Sequence, residues 1–106
     1  MKLTKALERV LRVFLADVSA RRYGYDLMKA ARLPSGTLYP LLARLEHQKL
    51  VTSAWETPRQ EGQRPRKYYQ LTGEGVRIAG LELAHASSRR RRAPVRPGRP
   101  VPGRLG

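Results

Sequence analysis

The chain has 106 residues, no Cys, 22 Lys and Arg against 8 Asp and Glu, and a formal net charge of +14. That length suits one small domain with one hydrophobic core, and the absence of Cys excludes disulfides and thiolate metal sites and fits a reducing compartment. No apolar run approaches the ~20 residues that span a bilayer, and Met1-Lys2-Leu3-Thr4-Lys5 leads into a charged helix rather than an apolar signal segment. The expectation is a soluble cytoplasmic protein with a polyanionic partner, nucleic acid ahead of an anionic membrane surface. Arg89, Arg90, Arg91, Arg92, Arg96, Arg99 and Arg104 all lie beyond His85 with no acid among them, so half the excess charge belongs to the C-terminal end and the remaining body is still +7.

The first element predicted is a helix over residues 3–17, with Leu3, Leu7, Val10, Leu11, Phe14 and Val18 at three-to-four-residue spacing and Lys5, Glu8, Arg9 and Arg12 toward water. A polar break over 19–22 precedes a short second helix over 23–31. Arg32-Leu33-Pro34 ends it, because the residue before Pro is driven out of the helical region. Ser35 is then positioned to cap a third helix over 35–47. Leu38, Leu41, Leu42 and Leu45 form its buried stripe, while Gly36, Thr37, Pro40, Ala43, Arg44 and His47 form an outer face with no acid and with Tyr39 at its edge. Pro40 falls about one turn in, where it removes one intrahelical bond and loosens the first turn.

Residues 50–56 and 66–71 have strand composition and form a hairpin. The loop between them, 57–65, holds Pro58, Gly62, Pro65, Arg59 and Arg64 and is too long for a tight turn. Tyr68 and Tyr69 point to opposite faces of the second strand, one into the core and one outward. Trp55 is expected to pack under the wing. Thr72 can cap a fourth helix, with Val76, Ala79, Gly80, Leu83 and Ala84 on one stripe and Ile78 and Leu81 on a second that suits a second copy of the chain. From residue 87 the composition turns to Arg, Pro and Gly without periodicity. The expected organisation is therefore a domain over 1–86 and a disordered basic tail over 87–106.

Helix, helix, helix, strand, basic loop, strand, helix is the order of a winged helix-turn-helix: mainly α with a small β-hairpin, three helices, a two-stranded wing and a short C-terminal helix. The strings Tyr23-Gly24-Tyr25-Asp26-Leu27, Ser35-Gly36-Thr37-Leu38-Tyr39-Pro40-Leu41-Leu42-Ala43-Arg44-Leu45-Glu46 and Arg66-Lys67-Tyr68-Tyr69-Gln70-Leu71-Thr72, with Leu50-Val51, Trp55 and Gly75, resemble the PadR family of bacterial transcriptional regulators over roughly residues 4–83. The resemblance implies a dimeric repressor of double-stranded DNA, with the third helix in the major groove and the wing along the backbone or minor groove. On the matching motifs it assigns Ser35, Thr37, Tyr39 and Pro40 to recognition and Arg66 and Lys67 to the wing base. Side-chain chemistry agrees. The hydroxyls of Ser35, Thr37 and Tyr39 can donate to phosphate, Arg44 can reach a guanine edge or a phosphate, and Arg59, Arg64, Arg66 and Lys67 make a positive loop. Two features depart from the family pattern, a short connection at Arg32-Leu33-Pro34 and a short C-terminal helix where relatives dimerise through a longer one. With Trp55 the sole Trp and in the wing, no inter-subunit drug cavity is expected.

Other chemistries find no support in the residues. His47 and His85 have no partner at ligand spacing, no nucleophile, base and orienting group fall together, and no glycine-rich phosphate loop is present, so neither enzyme nor cofactor is expected. The alternatives are a non-specific architectural DNA-binding protein and a winged helix that holds a protein partner. The Arg-rich end reads as a DNA arm, a segment folding on RNA or protein, or an unstructured extension of incidental charge.

Overall fold

The computed structural model describes residues 2–91. Four helices and three short strands follow in the order α1 (Lys5–Ala16), β1 (Arg22–Tyr23), α2 (Gly24–Ala31), α3 (Ser35–His47), β2 (Val51–Glu56), β3 (Arg66–Leu71) and α4 (Gly73–Arg91). Thr4 starts α1 by accepting the Leu7 N–H on its hydroxyl at 3.1 Å. Leu7, Val10, Leu11 and Phe14 then fall on one stripe and are buried, while Val18, placed on that stripe from spacing, lies past the helix end and is exposed. The end of α1 is closed from a distance, by Arg22 Nη2 donating to the Val13 carbonyl at 2.8 Å.

α2 terminates at Arg32 in the left-handed region (φ 57°), with Leu33 N–H returning to the Met28 carbonyl at 3.0 Å. Leu33 is buried, and Pro34 takes the extended conformation that opens α3. Ser35 is therefore the first residue of α3 and not its cap. The Pro34 carbonyl receives Thr37 N–H and Leu38 N–H, both at 3.0 Å, and α3 runs unbroken through Pro40. Leu38, Leu42 and Leu45 are buried to 1% exposure or less. At about 1.5–3 kcal/mol per buried side chain, this stripe holds α3 on the core.

The sheet is antiparallel in the order β1-β3-β2, one strand more than the predicted hairpin, with Tyr23 opposite Tyr68 and Ala54 opposite Tyr68 on the other side. Val51, Ser53 and Trp55 share the core face with Leu71, Tyr69 and Lys67. Val51, Leu71 and Tyr69 are buried, but the hairpin outruns the helices, and Trp55 is 65% exposed rather than packed beneath the wing. Thr72 caps α4, accepting the Gly75 N–H on its hydroxyl at 2.9 Å and donating its own N–H to the Leu50 carbonyl at 3.0 Å.

Helix α4 is the longest of the described helices and passes the expected end at Ala86 to reach Arg91. Gly75, Ala79, Leu83 and Ala86 form its buried side, and Gly80 and Ala84, assigned to that side from spacing, are exposed. Near its end Arg90 pairs with Glu8 of α1 at 3.2 Å, and Glu8 also takes Arg12 at 2.9 Å. The carboxyl of Glu8 is held below its ordinary range by Arg90 first and then by Arg12. Of the predicted tail, positions 92–106 lie outside the described residues. Among the described residues no helix is long and apolar enough to cross a membrane.

Candidate nucleic-acid interface

Burying the leucine stripe of α3 turns its other side to solvent. Ser35, Gly36, Thr37, Pro40, Ala43, Arg44 and His47 are all exposed, and Tyr39 is 43% exposed at the edge. The one acid of α3, Glu46, is taken by the Ser53 hydroxyl at 2.6 Å on the sheet side. The outward face thus keeps hydroxyls and cations without a competing carboxylate, and small residues at its start allow close approach to a flat or grooved polyanion.

Beside it stands the hairpin. Arg59 and Arg64 are exposed in its loop, where Gln63 Oε1 accepts the Arg59 N–H at 3.2 Å and folds the loop on itself. Arg66 lies at the base, its guanidinium carbon 3.7 Å from the Tyr23 ring centroid and its Nη2 3.9 Å from the Asp26 carboxylate. Tyr23 in turn donates its hydroxyl to Glu56 at 2.6 Å, and Glu56 also accepts from Arg21 at 3.1 Å. The Tyr23 hydroxyl, ahead of Arg21, keeps the Glu56 carboxyl below its ordinary range, while the same bond pushes the Tyr23 phenol up. Arg21 also lies 4.4 Å from the Tyr68 centroid, and Tyr68 meets Tyr23 edge-to-face at 6.3 Å. This cluster fastens the base of the wing to β1 and the start of α2.

All nine residues expected from sequence therefore fall on two neighbouring elements. Ser35, Thr37, Tyr39, Pro40 and Arg44 are all exposed on α3, and Arg59, Arg64, Arg66 and Lys67 follow the hairpin. Tyr39, Arg66 and Lys67 are brought together at a cleft of about 340 Å³, which Tyr23, Gly24, Tyr25, Trp55 and Tyr69 complete. Sequence reasoning did not gather these aromatics, although the Tyr23-Gly24-Tyr25 string held the signal. Gly24 is buried where the Tyr39 hydroxyl packs, and an added Cβ there would overlap that hydroxyl and lie 3.0 and 3.1 Å from two ring carbons. A glycine in that place is what lets α3 bring Tyr39 against α2. His47 and His85 remain apart from any acid cluster, and no group of three potential metal ligands occurs among the described residues.

The Transcriptional regulator PadR-like family matches residues 13–80, more than half the chain and every element from the end of α1 into α4. A PadR-like transcription factor from Bacteroides fragilis is 34% identical, with a TM-score of 0.62 over 82% of this chain and 86% of that one. A PadR family transcription regulator from Clostridium difficile R20291 is 28% identical, with a TM-score of 0.64 over 79% of this chain and 91% of that one. The fold extends to Staphylococcus aureus MepR in its DNA-binding conformation, 20% identical with a TM-score of 0.67 over 85% of this chain and 63% of that one. No curated protein sequence matches the chain. The acid-free outer face of α3, the cationic hairpin fastened beside it and the family match across both lead to one conclusion: the chain belongs to the PadR-like family of DNA-binding transcriptional regulators, which are not enzymes.

Proposed function

We propose that the protein is a sequence-specific repressor acting in the bacterial cytoplasm, which binds a palindromic site in double-stranded DNA as a homodimer. The observation that carries this reading is α3, whose Leu38, Leu42 and Leu45 are sealed in the core, with Leu41 half-buried beside them, while Ser35, Thr37, Tyr39, Pro40 and Arg44 stand exposed. In the bound state the start of α3 enters the major groove. Ser35, Thr37 and the Tyr39 hydroxyl donate to phosphates and fix the register. Arg44, one turn further on, reaches a guanine edge or a phosphate. Arg59, Arg64, Arg66 and Lys67 follow the adjacent backbone and release counterions, which makes affinity fall with salt.

The homodimer is supported by α4, which runs for 19 residues and presents Leu81 at 48% exposure beside half-buried Ile78. A second copy covering that side would set two α3 helices at the spacing of two half-sites.

Fluorescence anisotropy of a labelled duplex from the protein's own upstream region, against a shuffled duplex of equal composition and at two salt concentrations, tests the reading. The expected result is tighter binding of the native duplex by about a thousandfold or more. Equal binding to random duplexes as well, collapsing with salt, would instead assign an architectural role. Absence of binding at low salt would point to a protein partner.

A further inference from the structure

The cleft between the start of α2, the first turns of α3 and the base of the hairpin is more aromatic than a core-facing sheet edge requires. Tyr25 is 64% exposed and Trp55 65% exposed, so neither ring is consumed by the fold. Of the cleft's cations, Arg66 stands over the Tyr23 ring, 3.7 Å from its centroid, and Lys67 Nζ lies 5.9 Å from the Trp55 centroid and 5.6 Å from that of Tyr69. No carboxylate lines the cleft itself, and the acids at its rim are engaged, Asp26 at 3.9 Å from Arg66 and Glu56 at 2.6 Å from the Tyr23 hydroxyl. Among the described residues no ion pair engages Lys67.

We infer that this cleft seats a stretch of DNA sugar-phosphate backbone, with Tyr25 and Trp55 as contacts additional to α3 and the wing cations. The inference rests on the proposed DNA-binding reading and deepens it. Two geometric facts lead to a backbone. The cleft is walled on one side by Tyr39 of α3 and on the other by Trp55, Arg66 and Lys67 of the hairpin. A strand that leaves the groove holding α3 and continues to the wing must pass over what lies between them. The chemistry matches the same occupant. The sugar ring of deoxyribose packs on aromatic faces, and a phosphodiester beside it meets Arg66 and Lys67. Tyrosine and tryptophan supply such contact area with few rotatable bonds to freeze. Backbone contacts carry no sequence information, so the cleft adds affinity to every duplex alike.

Trp55 is the only Trp in the chain and reports on the cleft directly. The full chain is titrated with a labelled duplex while anisotropy of the DNA and acrylamide quenching of Trp55 are followed in parallel. As anisotropy saturates, Trp55 becomes shielded from acrylamide. Tyr25→Ala, at an exposed position and with its fold checked by circular dichroism, weakens native and shuffled duplexes by the same factor, about tenfold. It leaves the salt dependence unchanged, whereas Lys67→Gln lowers the slope of log affinity against log salt by about 0.9. A complex in which Trp55 stays as open to acrylamide as in the free protein overturns the cleft assignment and leaves DNA binding intact. So does a Tyr25→Ala protein that binds like the parent. No rise in anisotropy with any duplex at low salt overturns both readings together.

Discussion

Two glycines of α4, five residues apart and on different sides of the helix, should respond to the same substitution with opposite signs. Gly80 is exposed, and a Cβ built there meets nothing within 4 Å. Gly80→Ala therefore gains the difference in helix propensity, about 0.8–1 kcal/mol. Gly75 is buried, and a Cβ there would overlap the Leu50 carbonyl oxygen, lie 2.9 Å from its carbon and 3.2 Å from Leu71 Cδ2. That carbonyl cannot swing aside freely. It accepts the Thr72 N–H at 3.0 Å, and the Leu50 N–H is itself held by the Leu45 carbonyl at 2.9 Å. Overpacking of this kind costs about 1–3 kcal/mol, and forcing the carbonyl away loses a further ~1 kcal/mol from the Thr72 bond. The helix-propensity gain offsets at most ~1 kcal/mol of this, so Gly75→Ala should destabilise by about 1–3 kcal/mol. For a domain of this size each kcal/mol shifts Tm by roughly 4–8 °C. The expected outcome is thus a rise of about 4–8 °C for Gly80→Ala and a fall of roughly 5–20 °C for Gly75→Ala, measured by thermal circular dichroism and checked by the midpoint in urea at unchanged slope. Shifts of the same sign, or a Gly75→Ala protein as stable as its parent, would refute the close approach of α4 to the start of β2.

Gly24→Ala should displace the Tyr39 ring from its place against α2 and weaken duplex binding in the anisotropy assay, while the buried leucines of α3 keep the helix in place on circular dichroism. Arg64→Gln, at an exposed wing-loop position, should weaken native and shuffled duplexes equally and reduce the salt slope by about 0.9, leaving discrimination between them intact. The Glu56 carboxyl is depressed by the Tyr23 hydroxyl first and by Arg21 after it. Because its folded value lies below the unfolded one, its contribution to stability is present above the ordinary glutamate range and is lost as pH falls through the depressed value. Glu56→Gln should therefore shrink the drop in Tm between neutral and acid pH. A residual drop from Glu8 and Glu74, whose carboxyls are also held low, is expected to remain.

Much of the fold was legible because its signals are local. The leucine spacing in α3 identified the buried stripe, and with it the face left over for Ser35, Thr37, Tyr39, Pro40 and Arg44. A hydroxyl before an apolar-periodic run marked Thr72 as a cap, and β-branched and aromatic runs on either side of a Pro- and Gly-containing loop marked the hairpin, whose second strand begins and ends where composition placed it. Each of these depends on residues within a turn or two of one another.

What escaped the sequence depends on partners far away along the chain. β1 is two residues long, too short for any periodicity, and exists because Arg22 and Tyr23 meet Tyr69 and Tyr68. Ser35 has the right chemistry for a cap, but the turn that buries Leu33 puts Pro34 in the capping conformation and Ser35 inside the helix. The extent of α4 past Ala86 goes with a pairing of Arg90 with Glu8, 82 positions apart. Trp55 was expected to pack under the wing from its size and strand position, yet it is exposed because the hairpin projects beyond the helices. The aromatic cleft is the strongest case, since β1, α2, α3, β2 and β3 each contribute only one to three of its residues. The sequence by itself therefore determined the elements and the polar side of α3, through propensity and period. Tertiary structure alone decided which side chains meet at the junction of α3 and the wing, because that meeting is set by packing the leucine core and not by any interaction between neighbours in the chain.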